Sequence, residues 1–308
     1  MIRKAFWMFF AMVLMAAMPG PGFGAGGTAD DTLKLTLPYV TVGADRYRAL
    51  FDFVQLPQDP SGAYWKLTWA GKTPVAGPQG GVLDASLNIL NAVVMYRGQP
   101  FDLDLTYTPN PQDPSGAYWK LTRLQALPVR IQSVGGGDDS CYDFSRLDPA
   151  TIQQMIQCFQ NCGDNAQCLY GCIPPTIGAT FKLSVTFLNE SSEAVEFFLP
   201  PGMVFYPQDS SYQPMMVLYV PPYILQPGLS TFCVPTYCLA ANLSAPGSEN
   251  AYTPGAITGL ACLYEIVELT FGKTLSFEAQ AKIQDIIWDC SETGTLSPED
   301  RAYLQGLP

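Results

Sequence analysis

The stretch IQQMIQCFQNCGDNAQCLYGC, Ile152 to Cys172, contains two cysteine pairs with the same spacing. Its cysteines are Cys158, Cys162, Cys168 and Cys172. Cysteines four residues apart fall on one face of a helix, one turn above each other. Two such helices folded back on each other join the outer pair, Cys158–Cys172, and the inner pair, Cys162–Cys168. The spacing therefore predicts a disulfide-bonded α-hairpin over residues 141–174.

Residues 1–25 have the organisation of a secretory signal peptide. Arg3 and Lys4 form a basic start, an apolar run extends from Ala5 to Met18, and small residues from Gly24 to Ala29 offer a cleavage site. An uncleaved membrane anchor is the alternative, but the apolar run is short for a membrane-spanning helix. We therefore expect export to the periplasm, the cell surface or the medium, with no membrane span after cleavage.

The chain is acidic and contains no histidine. Loss of Arg3 and Lys4 with the signal leaves 14 of the 16 basic residues against 27 acidic ones, a net charge of −13. This charge argues against nucleic acid and anionic membranes as partners, because both need a basic surface. The missing histidine excludes the Ser-His-Asp triad, the Cys-His dyad and H-E-x-x-H zinc hydrolases. Carboxylate-pair and lysine chemistry remain open.

A block of twelve residues, PQDPSGAYWKLT, occurs at 57–68 and again without change at 111–122. Apolar positions before the block match at the same offset, so residues 33–70 and 87–124 are two copies of one small β unit. Each copy has about three strands, too few for independent stability, and we expect the copies to pack together. They form a duplicated β module over residues 30–128.

The block gives each copy a Tyr-Trp pair, Tyr64-Trp65 and Tyr118-Trp119. One interpretation is an aromatic surface, presented twice, on which a carbohydrate stacks. The other interpretation, which we favour, places both tryptophans in the core with the tyrosines beside them.

Acidic residues outside the block offer few candidate sites. Asp102 and Asp104 project from one side of a strand, as an acid/base pair does, although exposed carboxylates on an edge strand show the same pattern.

Residues 127–140 contain three consecutive glycines and Asp138-Asp139, and they predict a linker. That acidic pair lacks the spaced oxygen ligands of a calcium loop, and we expect no metal and no cofactor.

The last part of the chain, residues 176–308, begins with a strand from Phe181 to Phe187 in which apolar and polar residues alternate. Short strands follow, separated by proline-rich turns, and this spacing predicts an immunoglobulin-like β-sandwich. Helices are predicted over 256–269, 277–290 and 298–305. The whole chain is thus predicted to be mainly β, with an α-hairpin between two β modules.

Nine cysteines beyond the signal indicate disulfide chemistry in an oxidising compartment. Those outside the two predicted hairpin bonds are Cys141, Cys233, Cys238, Cys262 and Cys290. Because the total is odd, at least one sulfur has no disulfide partner within the chain. The favoured arrangement pairs the two strand cysteines with the two helical ones. It leaves Cys141 unpaired and available for a disulfide-linked dimer or assembly.

Two elements in the last third of the chain resemble the thioester domains of bacterial surface adhesins. Tyr237-Cys238 is similar to the Tyr-Cys element of that family, and Gln284 to Trp288, reading QDIIW, is similar to its T-Q-x-A-x-W element. The threonine and the alanine of that element are isoleucines here. The resemblance implies a bond between the Gln284 side chain and the Cys238 sulfur, which would leave eight cysteines to pair. The alternative is a solvent-facing Gln284 and a core Trp288.

Taken together, these patterns predict an exported, disulfide-bonded binding or assembly protein, such as an adhesin, without catalytic activity. Its partner would be a protein or a glycan. A carboxylate-based secreted enzyme of the glycoside hydrolase type is one alternative, and a structural subunit of a filament or envelope layer is another.

Overall fold

The computed structural model describes residues 26–77, 80–136, 141, 149–163, 168, 172 and 181–308. The predicted signal peptide, 1–25, lies outside these residues. The described residues divide into two compact units. Unit 1 takes those within Met1–Arg130, Leu188–Pro200 and Pro221–Leu229, and unit 2 takes those within Ile131–Phe187, Pro201–Val220 and Ser230–Pro308. The two units therefore alternate along the chain, unlike the consecutive domains that the sequence predicted.

Unit 1 is built around a sheet of eight strands. They are β1 (Gly27–Ala29), β2 (Leu35–Val42), β3 (Asp45–Leu56), β4 (Asp59–Lys72), β5 (Gly80–Leu83), β6 (Ile89–Tyr96), β7 (Gln99–Tyr107) and β8 (Tyr118–Ala126). The strand order is β1-β2-β3-β4-β8-β7-β6-β5, and additional pairings of β1 with β6 and β2 with β5 close the sheet on itself. Closure removes the open edges that a short copy would otherwise expose.

The two copies contribute equivalent halves of this closed sheet. Strands β1–β4 come from the first copy and β5–β8 from the second, and the parallel pairs β1–β6 and β2–β5 both cross between copies. A third crossing is the antiparallel contact of β4 with β8. Its opposed residues are Trp65–Trp119, Tyr64–Lys120 and Lys66–Tyr118. The copies therefore pack together as predicted, although each has four strands because a short one precedes the matched positions.

Trp65 and Trp119 lie in the core of unit 1 and are 6% and 7% exposed. Each indole donates a hydrogen bond to a main-chain oxygen at an equivalent position, to Leu33 at 2.8 Å and to Leu87 at 2.7 Å. Leu33 and Leu87 both adopt positive φ, 65° and 64°, so the repeat extends to an uncommon backbone conformation. The favoured interpretation of the tryptophans as core residues is confirmed.

A reciprocal polar network joins the copies beside the β4–β8 contact. In each copy the aspartate of the block accepts hydrogen bonds from its own tyrosine hydroxyl and from the lysine ammonium of the other copy. The contacts are Tyr64–Asp59 at 2.8 Å, Lys120–Asp59 at 2.6 Å, Tyr118–Asp113 at 2.6 Å and Lys66–Asp113 at 2.7 Å. These hydrogen bonds, those from the lysines above all, hold the pKa of both carboxyl groups below the usual range.

The burial of these rings corrects the alternative interpretation of the block. Tyr64 and Tyr118 are 4% and 5% exposed, and they pack with Leu56 in a small apolar cluster. An aromatic carbohydrate-binding surface made of these tyrosines with Trp65 and Trp119 is therefore wrong. All four rings are turned into the protein by the strand pairing.

Unit 1 also contains a small two-stranded sheet from later in the chain. Strands β11 (Val195–Phe197) and β14 (Tyr223–Leu225) pair antiparallel.

Unit 2 is organised around a closed barrel of six strands in the order β10-β15-β13-β12-β16-β9. The strands are β9 (Val129–Gly136), β10 (Phe181–Asn189), β12 (Met203–Pro207), β13 (Met215–Met216), β15 (Gly228–Cys238) and β16 (Ala251–Ile257). The barrel replaces the sandwich that the strand spacing predicted. It incorporates β9, which the sequence analysis assigned to a linker, because Val134 pairs with Tyr252 of β16.

Four helices complete the described structure: α1 (Pro149–Cys162), α2 (Ala261–Thr270), α3 (Phe277–Thr293) and α4 (Pro298–Gly306). α3 and α4 begin where predicted, with Ser276 and Ser297 accepting hydrogen bonds from the main-chain N–H groups of Ala279 and Asp300. α2 begins later than predicted because residues up to Ile257 continue β16. Most of the second helix of the predicted hairpin lies outside the described residues. Among the described helices, none has both the length and the apolarity needed to cross a membrane.

Equivalent burial of the two tryptophans leads to a matched prediction. Trp65→Ala and Trp119→Ala should each lower the free energy of unfolding by about 3–5 kcal/mol, because each removes a large side chain from the core. Trp69→Ala is the control: its side chain is 45% exposed, and about 1 kcal/mol or less is expected. Chemical denaturation measures all three, and a clear inequality between the two core variants would contradict the equivalence.

The reciprocal network predicts a dependence of stability on acid. Since folding lowers the pKa of Asp59 and Asp113, their contribution is present above the unfolded value of about 4 and is lost as the pH falls below it. The double variant Asp59→Asn/Asp113→Asn should therefore show a smaller fall in melting temperature between about pH 5 and pH 2 than the wild type. Equal falls in both proteins, measured by thermal unfolding, would rule the network out as a source of acid sensitivity.

Candidate functional site

Four disulfides account for eight of the nine cysteines. They join Cys141–Cys233, Cys158–Cys172, Cys162–Cys168 and Cys262–Cys290, with Cα atoms 5.3, 5.7, 5.4 and 6.0 Å apart. Both bonds predicted for the α-hairpin are present. Cys238 is the free cysteine, and it is buried.

The pairing corrects the prediction for the other five cysteines. Cys233 and Cys238 lie five residues apart on β15, and side chains an odd number apart on a strand point to opposite faces. Cys233 and Cys238 therefore cannot both form disulfides with cysteines of the helices. The turn between α2 and α3 folds these helices back, so that Cys262 near the start of α2 reaches Cys290 near the end of α3. Cys141, expected to be unpaired and exposed, is bonded to Cys233 and only 5% exposed, so it supplies no intermolecular bridge.

Cys238 is the last residue of β15 and lies opposite Met215 of β13. Its exposure is 0%, and burial raises the pKa of its thiol well above the ordinary value. The resting side chain is therefore a neutral thiol with no access to solvent. Such a sulfur is shielded from external oxidants and alkylating agents.

Gln284 lies in the middle of α3 and is also 0% exposed, so it is not the solvent-facing helix residue of the alternative interpretation. Its side-chain oxygen accepts a hydrogen bond from the main-chain N–H of Cys238 at 2.9 Å. Its side-chain nitrogen donates to the main-chain oxygen of the same residue at 2.8 Å. The carboxamide is thus fixed against Cys238 by two bonds. The structure brings together, across 46 residues of sequence, the two residues that the resemblance implied.

A second buried amide lies beside this pair. Gln213 is 0% exposed, and its side-chain oxygen accepts hydrogen bonds from Ala240 N at 3.3 Å and from the indole of Trp288 at 3.5 Å. Its side-chain nitrogen has no partner among the described residues. Burial, with a smaller contribution from Cys238, raises the pKa of the nearby Tyr252 hydroxyl. No sequence pattern marked Gln213 or Tyr252, because only the barrel closure brings them to this point.

A groove of ≈ 200 Å³ opens near the pair within unit 2. Gln280 and Tyr237 line it. Gln280 lies one helical turn before Gln284 on the same face of α3, and Tyr237 precedes Cys238 in β15. Neither Cys238 nor Gln284 lines the groove, and side chains adjacent on a strand, such as Tyr237 and Cys238, point to opposite faces.

A free cysteine thiol and a carboxamide on residues in contact can undergo one reaction in particular. Attack of the sulfur on the side-chain carbonyl carbon forms a C–S bond, breaks the C–N bond and releases ammonia, which takes up the thiol proton. The carbonyl oxygen accepts a hydrogen bond from Cys238 N, where negative charge would develop during the attack. The product is an internal thioester.

The carboxylate candidates in unit 1 are placed differently from either sequence interpretation. β7 lies between β6 and β8, so it is not an edge strand. Asp102 and Asp104 both accept hydrogen bonds from Arg123, each with a shortest contact of 2.6 Å. Burial opposes ionisation of Asp104, but Arg123 and a hydrogen bond from the main-chain N–H of Asn91 together outweigh burial and lower the pKa of that carboxyl. An acid/base pair needs a raised pKa on one member, and this ion cluster works against it. Asp138 and Asp139 lie outside the described residues.

One group of cysteines has metal-like proximity. The sulfurs of Cys158, Cys162 and Cys172 lie within 4.8 Å of one another. Two disulfides account for this closeness, and a bonded sulfur is not the thiolate that a metal requires.

No protein-family model matches the chain, and neither curated proteins nor solved structures show a significant similarity to it.

The hydrogen bonds of Gln284 predict a structural cost for its removal. Gln284→Ala leaves both main-chain polar groups of Cys238 buried without partners, and should lower the free energy of unfolding by at least about 2 kcal/mol. Gln280→Ala, one turn earlier and partly exposed, is the matched control with a smaller expected loss. Denaturant titration of both variants decides, and equal losses would count against the pairing.

Proposed function

We propose that the chain is an exported, disulfide-bonded binding or assembly protein that attaches to its partner through a thioester between Cys238 and Gln284. One observation carries this proposal. The only cysteine outside the disulfides is fully buried, and a buried carboxamide is fixed against its main chain by hydrogen bonds of 2.9 and 2.8 Å.

The surroundings of the pair support formation and survival of such a bond. Cys238 and Gln284 are both 0% exposed, and Trp288 is 3% exposed beside them. A water-excluding site protects a reactive acyl group from hydrolysis. The odd number of cysteines is accounted for as well, since the ninth sulfur would be bonded to carbon.

Transfer of the acyl group explains how a protein without turnover binds a partner. A primary amine of the partner attacks the thioester carbon, an amide bond forms and the Cys238 thiol is released. Each molecule reacts once. Because Cys238 and Gln284 are both 0% exposed, this route requires the site to open to the amine of the partner.

The disulfides bear on where this takes place. Four bonded pairs support a non-cytoplasmic, oxidising compartment. We infer that residues 1–25 direct the chain there as a signal peptide, and that the protein works in the periplasm, on the cell surface or in the medium. A surface location suits covalent attachment to a protein or an amine-bearing glycan.

Intact-mass analysis of the denatured mature protein tests the proposal. The expected mass is lower than that of the four-disulfide chain by one ammonia, and incubation with methylamine should add one methylamine and release one thiol that can be alkylated. Cys238→Ser is the control and should show neither change. A wild-type mass that includes the ammonia, with one thiol free to react in denaturant before any treatment, would overturn the proposal.

A further inference from the structure

Trp69, near the end of β4, presents an unusually exposed aromatic ring. Its side chain is 45% exposed although it belongs to a strand in the middle of the closed sheet. The guanidinium of Arg48 lies 5.4 Å from the ring centroid, within the range of a cation–π contact. A Cβ added at Gly71 would meet the ring at 2.6 Å, so the indole lies against the Gly71 backbone. Arg48 and Gly71 therefore fix the ring in place, and the rest of its surface is exposed to solvent.

The second copy shows that the fold does not need this ring. At the offset of the repeat, Trp69 corresponds to Arg123 and Arg48 corresponds to Asp102. In that copy the guanidinium of Arg123 donates hydrogen bonds to Asp102 and Asp104, and no aromatic ring occupies the position. The position equivalent to Trp69 is thus occupied by an arginine whose ion partners belong to the same copy. Because the internal copy is a control for structural need, an open indole at Trp69 is better explained by binding.

An exposed cation lies along the same face. Arg46 is exposed and stands two residues before Arg48, so both side chains are on the same face of β3, although Arg48 itself is only 8% exposed. No ion pair joins Arg46 to another side chain in the part of the chain that the structure describes. Arg46 and Arg48 lie about 7 Å apart along the strand. The indole of Trp69 lies against Gly71, which is opposite Arg48, so the ring extends towards Arg46. In a chain of net charge −11, this places an exposed positive charge on the same face of the sheet as the ring.

We propose that Trp69 and Arg46 form a non-covalent binding site for an acidic saccharide. The apolar face of one sugar ring stacks on the open face of the indole, and the carboxylate of a neighbouring uronate ring binds the Arg46 guanidinium. Arg46 supplies the local positive charge that selects an acidic saccharide over a neutral one. This site lies in unit 1 and does not depend on the thioester.

Calorimetric titration of the whole mature protein with a hexuronate oligosaccharide tests the site, with a neutral hexose oligosaccharide of equal length for comparison. Saturable binding of the uronate ligand is expected, and it should weaken as salt rises. Trp69→Ala should weaken it by about tenfold or more, and Trp69→Phe by less, because a smaller ring still stacks. Arg46→Gln should reduce uronate affinity to that of the neutral ligand. Tyr206→Ala, which removes a 50% exposed aromatic in unit 2, is the matched control and should change nothing.

Two results would overturn the proposal. One is the absence of saturable uronate binding by the wild type, and the other is unchanged affinity in Trp69→Ala. Thermal unfolding shows whether each variant is folded, and if Trp69→Ala is not, Arg46→Gln decides by its loss or retention of uronate preference. Cys238→Ser should bind the saccharide as the wild type does, so failure of the thioester does not affect this test.

Discussion

The antiparallel contact between β4 and β8 is the constraint on which unit 1 depends. Two identical segments meet there about a local two-fold relation, in which Trp65 faces Trp119, Tyr64 faces Lys120 and Lys66 faces Tyr118. Lys66 binds Asp113 just as Lys120 binds Asp59. A reciprocal contact of this kind needs the same residue types on both sides. It gives a physical reason why the aspartate, tyrosine, tryptophan and lysine of the block are the same in both copies.

The identical block nevertheless adopts two different backbone conformations, so local sequence alone does not determine its structure. β4 begins at Asp59, whereas β8 begins only at Tyr118. Before the second block stands Pro109, which has no N–H to donate to a ladder, and β7 ends at Tyr107. The repeat, the core tryptophans and the serine helix caps follow from local patterns and could be predicted. The crossed parallel pairings and the barrel in unit 2 depend on contacts between distant segments, and no local pattern specifies them.

The candidate sites divide in the same way. Counting cysteines predicted that one sulfur lacks a disulfide, but the choice of Cys238 over Cys141 follows from the alternation of side chains along β15 and from the turn between α2 and α3. Motif resemblance found Gln284, whereas Gln213 reaches the site only through barrel closure. Trp69 carried a readable signal. It is the residue at which the second copy changes from tryptophan to arginine, immediately after twelve identical residues.

The central claim is that the two copies join into one sheet through the antiparallel contact of β4 with β8. Solution NMR tests it directly through nuclear Overhauser contacts between main-chain protons of the two strands in isotope-labelled mature protein. The structure predicts cross-strand contacts that place Trp65 opposite Trp119, with Tyr64 near Lys120 and Lys66 near Tyr118. Contacts confined to each copy, with none between β4 and β8, would contradict the account.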